Sequence, residues 1–183
     1  PFAEKKFEDL RDLEAGSWFA DGFAGIKIPT LEEAIEVILQ RDLGVNLEIK
    51  PCPGREVETA EAMLDVLSQI WDDRDRLLIS SFSHVSMETS MDMANDWYRG
   101  LLLDTEPMEN WKELADYLNA STINIDGRTA TRELIDDIMD TERQILAYTI
   151  NDPQLARTLR QWGVDALFTD DPDTVTEDMF KAH

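Results

Sequence analysis

Glu48 and Lys50 stand two residues apart in the stretch Val45-Asn46-Leu47-Glu48-Ile49-Lys50. Val45, Leu47 and Ile49 alternate there with Asn46, Glu48 and Lys50, which is the period of a strand. Residues two apart on a strand share a face, so the carboxylate and the ammonium point the same way. Pro51-Cys52-Pro53-Gly54 follows at once and stops the strand. If the charged face lines the inside of a barrel, both charges sit where burial is costly unless they are paired or hold a ligand. The plain alternative is an ion pair at the end of an exposed strand. Residue types alone leave both readings open.

The elements around this strand decide what it faces. Thr30 and Glu33 have the spacing of a capping box, and Leu31, Ala34, Ile35, Ile38 and Leu39 give the helix they open one apolar face. Gly44 ends that helix just before the strand. A helix is then predicted over 59–71, with Ala60, Met63, Leu64, Leu67 and Ile70 in phase, followed by a strand over 77–82. The apolar run Leu77-Leu78-Ile79 of that strand suggests burial on both faces, as in parallel sheets. The same unit repeats as helix 85–97 and strand 100–103, helix 107–118 and strand 121–125, helix 130–139 and strand 145–150, and helix 153–162 and strand 164–169. Asp152-Pro153 is a cap followed by proline in the first turn. Asp171-Pro172 leads into a last helix predicted to end near Phe180.

Helix and strand thus alternate six times, which means a parallel sheet with helices outside. Polar residues close many of the strands: Glu48 and Lys50, Ser81, Asp104, Asn124 and Asp126, Asn151, and Asp170. Polar groups at the C-terminal ends of parallel strands mark the active-site face of a βα barrel. The rival is an open doubly wound sheet, which carries a glycine-rich nucleotide loop after its first strand. Neither that loop nor a phosphate-binding P-loop is present. Six strands do not close an eight-stranded barrel, so the sheet is either open or two strands lie outside this sequence.

The totals narrow the function further. A chain of 183 residues with 43% hydrophobic content and five Trp is globular, with one domain as the default. No apolar run reaches the length of a membrane span. The first residues, Pro1-Phe2-Ala3-Glu4-Lys5-Lys6, do not form a signal peptide, and they begin without Met. The single cysteine, Cys52, excludes an internal disulfide and has no base beside it in sequence, so it is read as a bystander thiol. A net charge of −22 argues against nucleic acid and anionic membrane surfaces as partners. The acidic residues are spread along the chain, as on a solvated surface; adaptation to high salt is the sharper reading of the same feature. Residues 1–29 differ from the remainder, with a short helix at 7–13 and a glycine-punctuated aromatic loop through Ser17-Trp18-Phe19 and Phe23-Ala24-Gly25.

Several stretches, taken together in order and spacing, carry a resemblance. They are Asp9-Leu10 through Ala15-Gly16-Ser17-Trp18-Phe19, Phe23-Ala24-Gly25, Ile28-Pro29-Thr30-Leu31-Glu32-Glu33 and Asn46-Leu47-Glu48-Ile49-Lys50-Pro51. Ser80-Ser81-Phe82, Arg99-Gly100-Leu101-Leu102-Leu103-Asp104, Tyr148-Thr149-Ile150-Asn151, Trp162-Gly163-Val164-Asp165 and Thr169-Asp170 continue the series. Over nearly its whole length the chain resembles the glycerophosphodiester phosphodiesterases, and among them the small cytosolic bacterial type. The resemblance implies a (β/α)8 TIM-type barrel of which this chain supplies about six βα units. It also implies hydrolysis of glycerophosphodiesters to glycerol 3-phosphate and an alcohol, with a divalent cation, Mg2+ or Ca2+, as cofactor.

By the same resemblance Glu48 matches a metal-binding carboxylate. Lys50 matches the lysine that neutralises charge building on the phosphate oxygens. Phe82 and Tyr148 match residues lining the glycerol and phosphate pocket, with ordinary core packing as the alternative for each. Asn151 and Asp170 are read either as part of that face or as helix caps.

The chain also departs from the family pattern. The family's His-Arg-Gly, Glu-x-Asp and His-Asp motifs are missing, and with them the histidines that act as general acid and base. His84 and His183 have the wrong neighbours; His84 is read as a surface residue in a loop. One expectation covers both the missing motifs and the missing strands: residues 1–29 are the end of the family's small insertion, 30–183 are the C-terminal part of the barrel, and the 183 residues alone are an inactive piece of a longer enzyme. The alternative is a non-catalytic barrel remnant acting as a binding or interaction module, associating through its open strand edges.

Overall fold

A computed structural model of the chain describes residues 4–176 and 178. His183 and the end of the last predicted helix near Phe180 lie outside the described residues, while its predicted start after Asp171-Pro172 is a turn. The principal elements are α1 (Phe7–Arg11), α2 (Leu31–Gln40), β1 (Val45–Glu48), α3 (Glu56–Ile70), β2 (Leu77–Ser81), α4 (His84–Met93), β3 (Tyr98–Leu102) and α5 (Trp111–Tyr117), followed by β4 (Thr122–Asp126), α6 (Arg132–Met139), β5 (Gln144–Tyr148), α7 (Pro153–Trp162) and β6 (Ala166–Leu167). All six strands are parallel, and each pairs only with its neighbours in chain order, from β1 to β6. A doubly wound sheet reverses strand order at its switch point; this one never does.

Register divides the side chains into two sets. Glu48 is level with Ser80, Ser80 with Gly100, Leu102 with Asn124, Asp126 with Tyr148, and Leu146 with Ala166. Residues of the opposite parity, including Ile49, Ile79, Leu101, Leu103, Ile123, Ile125, Ile145 and Ala147, are buried and pack with helix residues such as Leu64, Met87, Ala115, Ile135 and Leu159. The helices therefore cover one face only, and the other face is the concave interior of a partial (β/α)8 barrel. The apolar run that suggested a strand buried on both faces is correct for β2.

Packing is tight where the interior is crowded. A Cβ on Gly100 would meet Thr122 Oγ1 at 2.6 Å, so only glycine fits there on β3. Arg99, next to it and facing out, is 2% exposed. Its guanidinium donates to the carbonyls of Ala94, Asn95, Trp97 and Leu118, and so fastens α4 and the end of α5 to β3.

Helix boundaries shift from expectation for local reasons. The second full helix begins at Glu56, three residues before expectation, with Arg55 directly after the Pro-Cys-Pro-Gly turn as its N-cap. Helix α4 ends at Met93, four residues early, and α5 begins only at Trp111. His84 is not in a loop: it opens α4, whose cap is Ser83, although it is exposed as expected. The Thr30–Glu33 capping box and the Asp152-Pro153 start are present as read.

Candidate active site

The site is built where β1 ends. The ladder continues one residue past β1, with Ile49 N–H donating to the Ser80 carbonyl, so Lys50 emerges from the sheet in phase with Glu48. Lys50 Nζ lies 3.4 Å from Glu48 Oε2. The lysine is mostly exposed, whereas the carboxylate is largely covered, its other oxygen fully so.

A cavity of about 250 Å³ opens at this end of the strands, lined by Asn46, Glu48, Lys50, Phe82, Tyr148 and Phe168 among others. The four residues the sequence singled out, Glu48, Lys50, Phe82 and Tyr148, are thus brought together. Phe82 and Tyr148 meet edge to face with ring centroids 5.9 Å apart, and Phe82 is 41% exposed. Core packing does not describe a ring so open to solvent; the pair forms a wall of the cavity. Tyr148 is also anchored, its hydroxyl donating to the Leu103 carbonyl at 2.6 Å.

Carboxylates surround this end of the strands, and two of them are paired, Glu48 with Lys50 and Asp126 with Arg128. Burial, with the negative charges of Asp126, Asp104 and Glu48, pushes the Tyr148 phenol up to about 12, with Arg128 partly offsetting them. Three carboxylates therefore act on one point at the mouth. Hydrogen bonds from the Arg128 side chain and backbone hold the Asp126 carboxyl below its ordinary range, opposed only by partial burial.

The interior beneath is polar. Among the described residues, the buried side-chain polar atoms that lack a partner are Asn46 Oδ1, Glu48 Oε1, Ser80 Oγ and Asn124 Nδ2. All four residues have the interior parity. Buried polar groups left unpaired are costly, and they gather at places that bind something. Two of the four atoms are oxygens two residues apart on β1, which suits a hard cation. Among the described residues no three His, Cys, Asp or Glu side chains converge as a metal site, so Glu48 fits as one ligand of a set.

The chain matches the glycerophosphoryl diester phosphodiesterase family over residues 1–174. It belongs to that family. A glycerophosphodiester phosphodiesterase of Caldanaerobacter subterraneus is 30% identical over 172 residues, covering 92% of this chain and 68% of that protein. Another, from Bacillus altitudinis, is 26% identical over 185 residues, covering 91% of this chain and 69% of that protein. A phosphodiesterase of Oleispira antarctica, solved in complex with its product sn-glycerol-3-phosphate, superposes with a TM-score of 0.90 at 34% identity. That match covers 98% of this chain and 72% of the other. The family's barrel architecture is the one its register and one-sided helix layer had already indicated.

Other sequence readings resolve differently. Asn151 does not help cap α7, since Asp152 does so by accepting from Gln154 N–H. Instead Asn151 Oδ1 accepts from Thr169 Oγ1 and from Asp170 N–H, while its amide donates to the Asp170 carboxylate, tying the loop after β5 to the loop after β6. The cap of the turn that follows is Asp171, not Asp170. Cys52 is a free thiol, half-buried in the turn after β1. Asn46 joins the site although residue types do not single it out; its alternation with Glu48 is the signal that places it on the same face. Leu102 and Phe168 became visible only through the strand register.

Proposed function

We propose that this chain carries part of the active site of an enzyme that hydrolyses glycerophosphodiesters to glycerol 3-phosphate and an alcohol. The observation that supports this reading most is the Glu48–Lys50 pair, with one carboxylate oxygen orphaned at a polar mouth. Family membership, and the product held by the Oleispira relative, point to the same substrate class.

Glu48 is proposed as a ligand of a divalent cation, Mg2+ or Ca2+, with Asn46 close by as an oxygen donor. When bound, such a cation supplies Lewis-acid polarisation of a phosphoryl oxygen. Lys50 binds the phosphate and compensates the negative charge that grows on its oxygens in the transition state. The ammonium stands 3.4 Å from Glu48, on the same face of the strand end, where it can reach a phosphate oxygen. Phe82 and Tyr148, packed edge to face with each other, offer an apolar wall to the carbons of the glycerol arm. Tyr148 stays a neutral phenol, and its proton is committed to Leu103, so its role is shape rather than proton transfer.

Residues 1–29 are proposed as the end of an insertion and 30–183 as the C-terminal part of the barrel, in a cytoplasmic enzyme of glycerophospholipid metabolism. No helix among the described residues is long and apolar enough to cross a membrane. The 183 residues alone hold neither of the family's catalytic histidine motifs, and on their own they are proposed to be inactive. The test is release of glycerol 3-phosphate by the product of the complete reading frame, compared with its Glu48→Gln variant.

A further inference from the structure

A second cavity, of about 470 Å³, adjoins the first on the side of α1. Lys5, Phe7, Leu10, Lys50, Cys52 and Arg55 are among its lining residues. Lys50 is the one residue that lines both cavities. A phosphodiester is a phosphorus between two alcohol arms. With Lys50 on the phosphate and the inner cavity on the glycerol, the outer cavity lies where the second arm goes.

Its charge is unlike that of the rest of the molecule. In a chain of net charge −22, this lining holds the cations Lys5, Lys50 and Arg55 and the single carboxylate Glu58; Arg55 is paired with Glu58 at 3.0 Å and Lys50 with Glu48 of the inner cavity at 3.4 Å, which leaves Lys5 as the added positive charge. The wall is also fixed in place. Arg11, at the end of α1, makes two hydrogen bonds to the Glu33 carboxylate, at 2.8 and 3.0 Å, and one to the Ile28 carbonyl. Glu33 is itself the capping-box residue of α2, so the helix bearing Phe7 and Leu10 is tied to the barrel. The volume falls in the range of ordinary small-ligand pockets.

We infer that the outer cavity is the subsite for the leaving alcohol and that it selects alcohols bearing negative charge. This rests on the phosphodiesterase reading of Glu48 and Lys50. Like charges would raise the energy of a cationic alcohol there, and unlike charges lower that of an anionic one, so the discrimination comes from both directions. Phe7 and Leu10 supply the apolar side against which the carbons of the alcohol lie.

The test measures kcat/KM of the protein from the complete reading frame on glycerophosphoinositol 4-phosphate, glycerophosphoethanol and glycerophosphocholine. The anionic substrate is expected to exceed the cationic one by about tenfold. Reversing both cations, Lys5→Glu with Arg55→Glu, lowers that ratio by about tenfold or more, and neutralising them, Lys5→Gln with Arg55→Gln, lowers it by about threefold. The neutral variant decides if the reversed one does not fold. Turnover of all three substrates at equal kcat/KM overturns the subsite and leaves the phosphodiesterase reading standing. So does a ratio unmoved in the variants. Failure of the unsubstituted protein to cleave any of the three overturns the phosphodiesterase reading, and the subsite with it.

Discussion

Lys50 Nζ sits 3.4 Å from one oxygen of Glu48 while the other oxygen of the same carboxylate is buried and unpaired. An ordinary surface ion pair leaves neither oxygen in that condition. The lysine holds the carboxylate in place without using it up, and the free oxygen points into a polar interior. Replacing Lys50 by Ala is expected to lower kcat by about a hundredfold or more, because a preorganised charge is lost from the transition state. Steady-state kinetics on a glycerophosphodiester check this. A change confined to KM would make Lys50 a binding residue only.

Removal of divalent metal by a chelator is expected to abolish activity of the complete protein, and adding back Mg2+ or Ca2+ to restore it. In Glu48→Gln the metal concentration needed for half-maximal activity rises by about tenfold or more, since a charged oxygen ligand becomes neutral. Titration of activity against metal distinguishes this from a simple loss of fold.

Tyr148 is expected to remain a phenol well into alkaline conditions. Its pKa is raised in the folded protein to about 12, above the ordinary value of about 10. An acid whose folded pKa is raised contributes stability that is complete below the unfolded value and lost as pH climbs toward the folded one. Tyrosinate absorbance of the folded chain should therefore show Tyr148 silent up to about pH 10. Tyr148→Phe removes the bond to the Leu103 carbonyl and is expected to cost about 1 kcal/mol in denaturant unfolding.

Asp126 runs the other way. Its folded pKa is depressed by Arg128, so its contribution is present above the ordinary carboxylate range and disappears as pH falls through the depressed value. Denaturant unfolding followed by circular dichroism should show Arg128→Ala less stable than the parent chain above about pH 4, with the difference closing as pH falls below that value. No difference at the higher pH would mean that solvent already screens the pair.

Arg99 is a structural cation. Arg99→Met leaves the carbonyls of Ala94, Asn95, Trp97 and Leu118 without their donor, and is expected to destabilise the fold by about 3 kcal/mol. Thermal unfolding of the two proteins side by side gives the difference.

The sequence carried most of the fold because its signals were local. Apolar spacing, the Thr30–Glu33 box and the Asp152-Pro153 start each name an element from a few neighbouring residues. It also carried the Glu48–Lys50 face, since strand parity is a property of a single strand. What it did not carry depends on distance in space. Asn46 and Asn124 become a shared polar interior only once register aligns β1 through β4. Asn151 reads as a cap until the loop after β6 is seen beside it. Arg99 looks like any surface arginine until the turns after α4 and α5 close over it. Lys5 lies 45 residues before Lys50 in sequence, and only the packing of α1 against α2 brings the two to one cavity.

The decisive experiment follows glycerol 3-phosphate release from glycerophosphoethanol by the protein of the complete reading frame, alongside Glu48→Gln and Lys50→Ala. Release by the parent protein, reduced by about a hundredfold or more in both variants while their melting temperatures hold, is the expected result. Release that is undiminished in either folded variant would show that the chemistry does not pass through the end of β1.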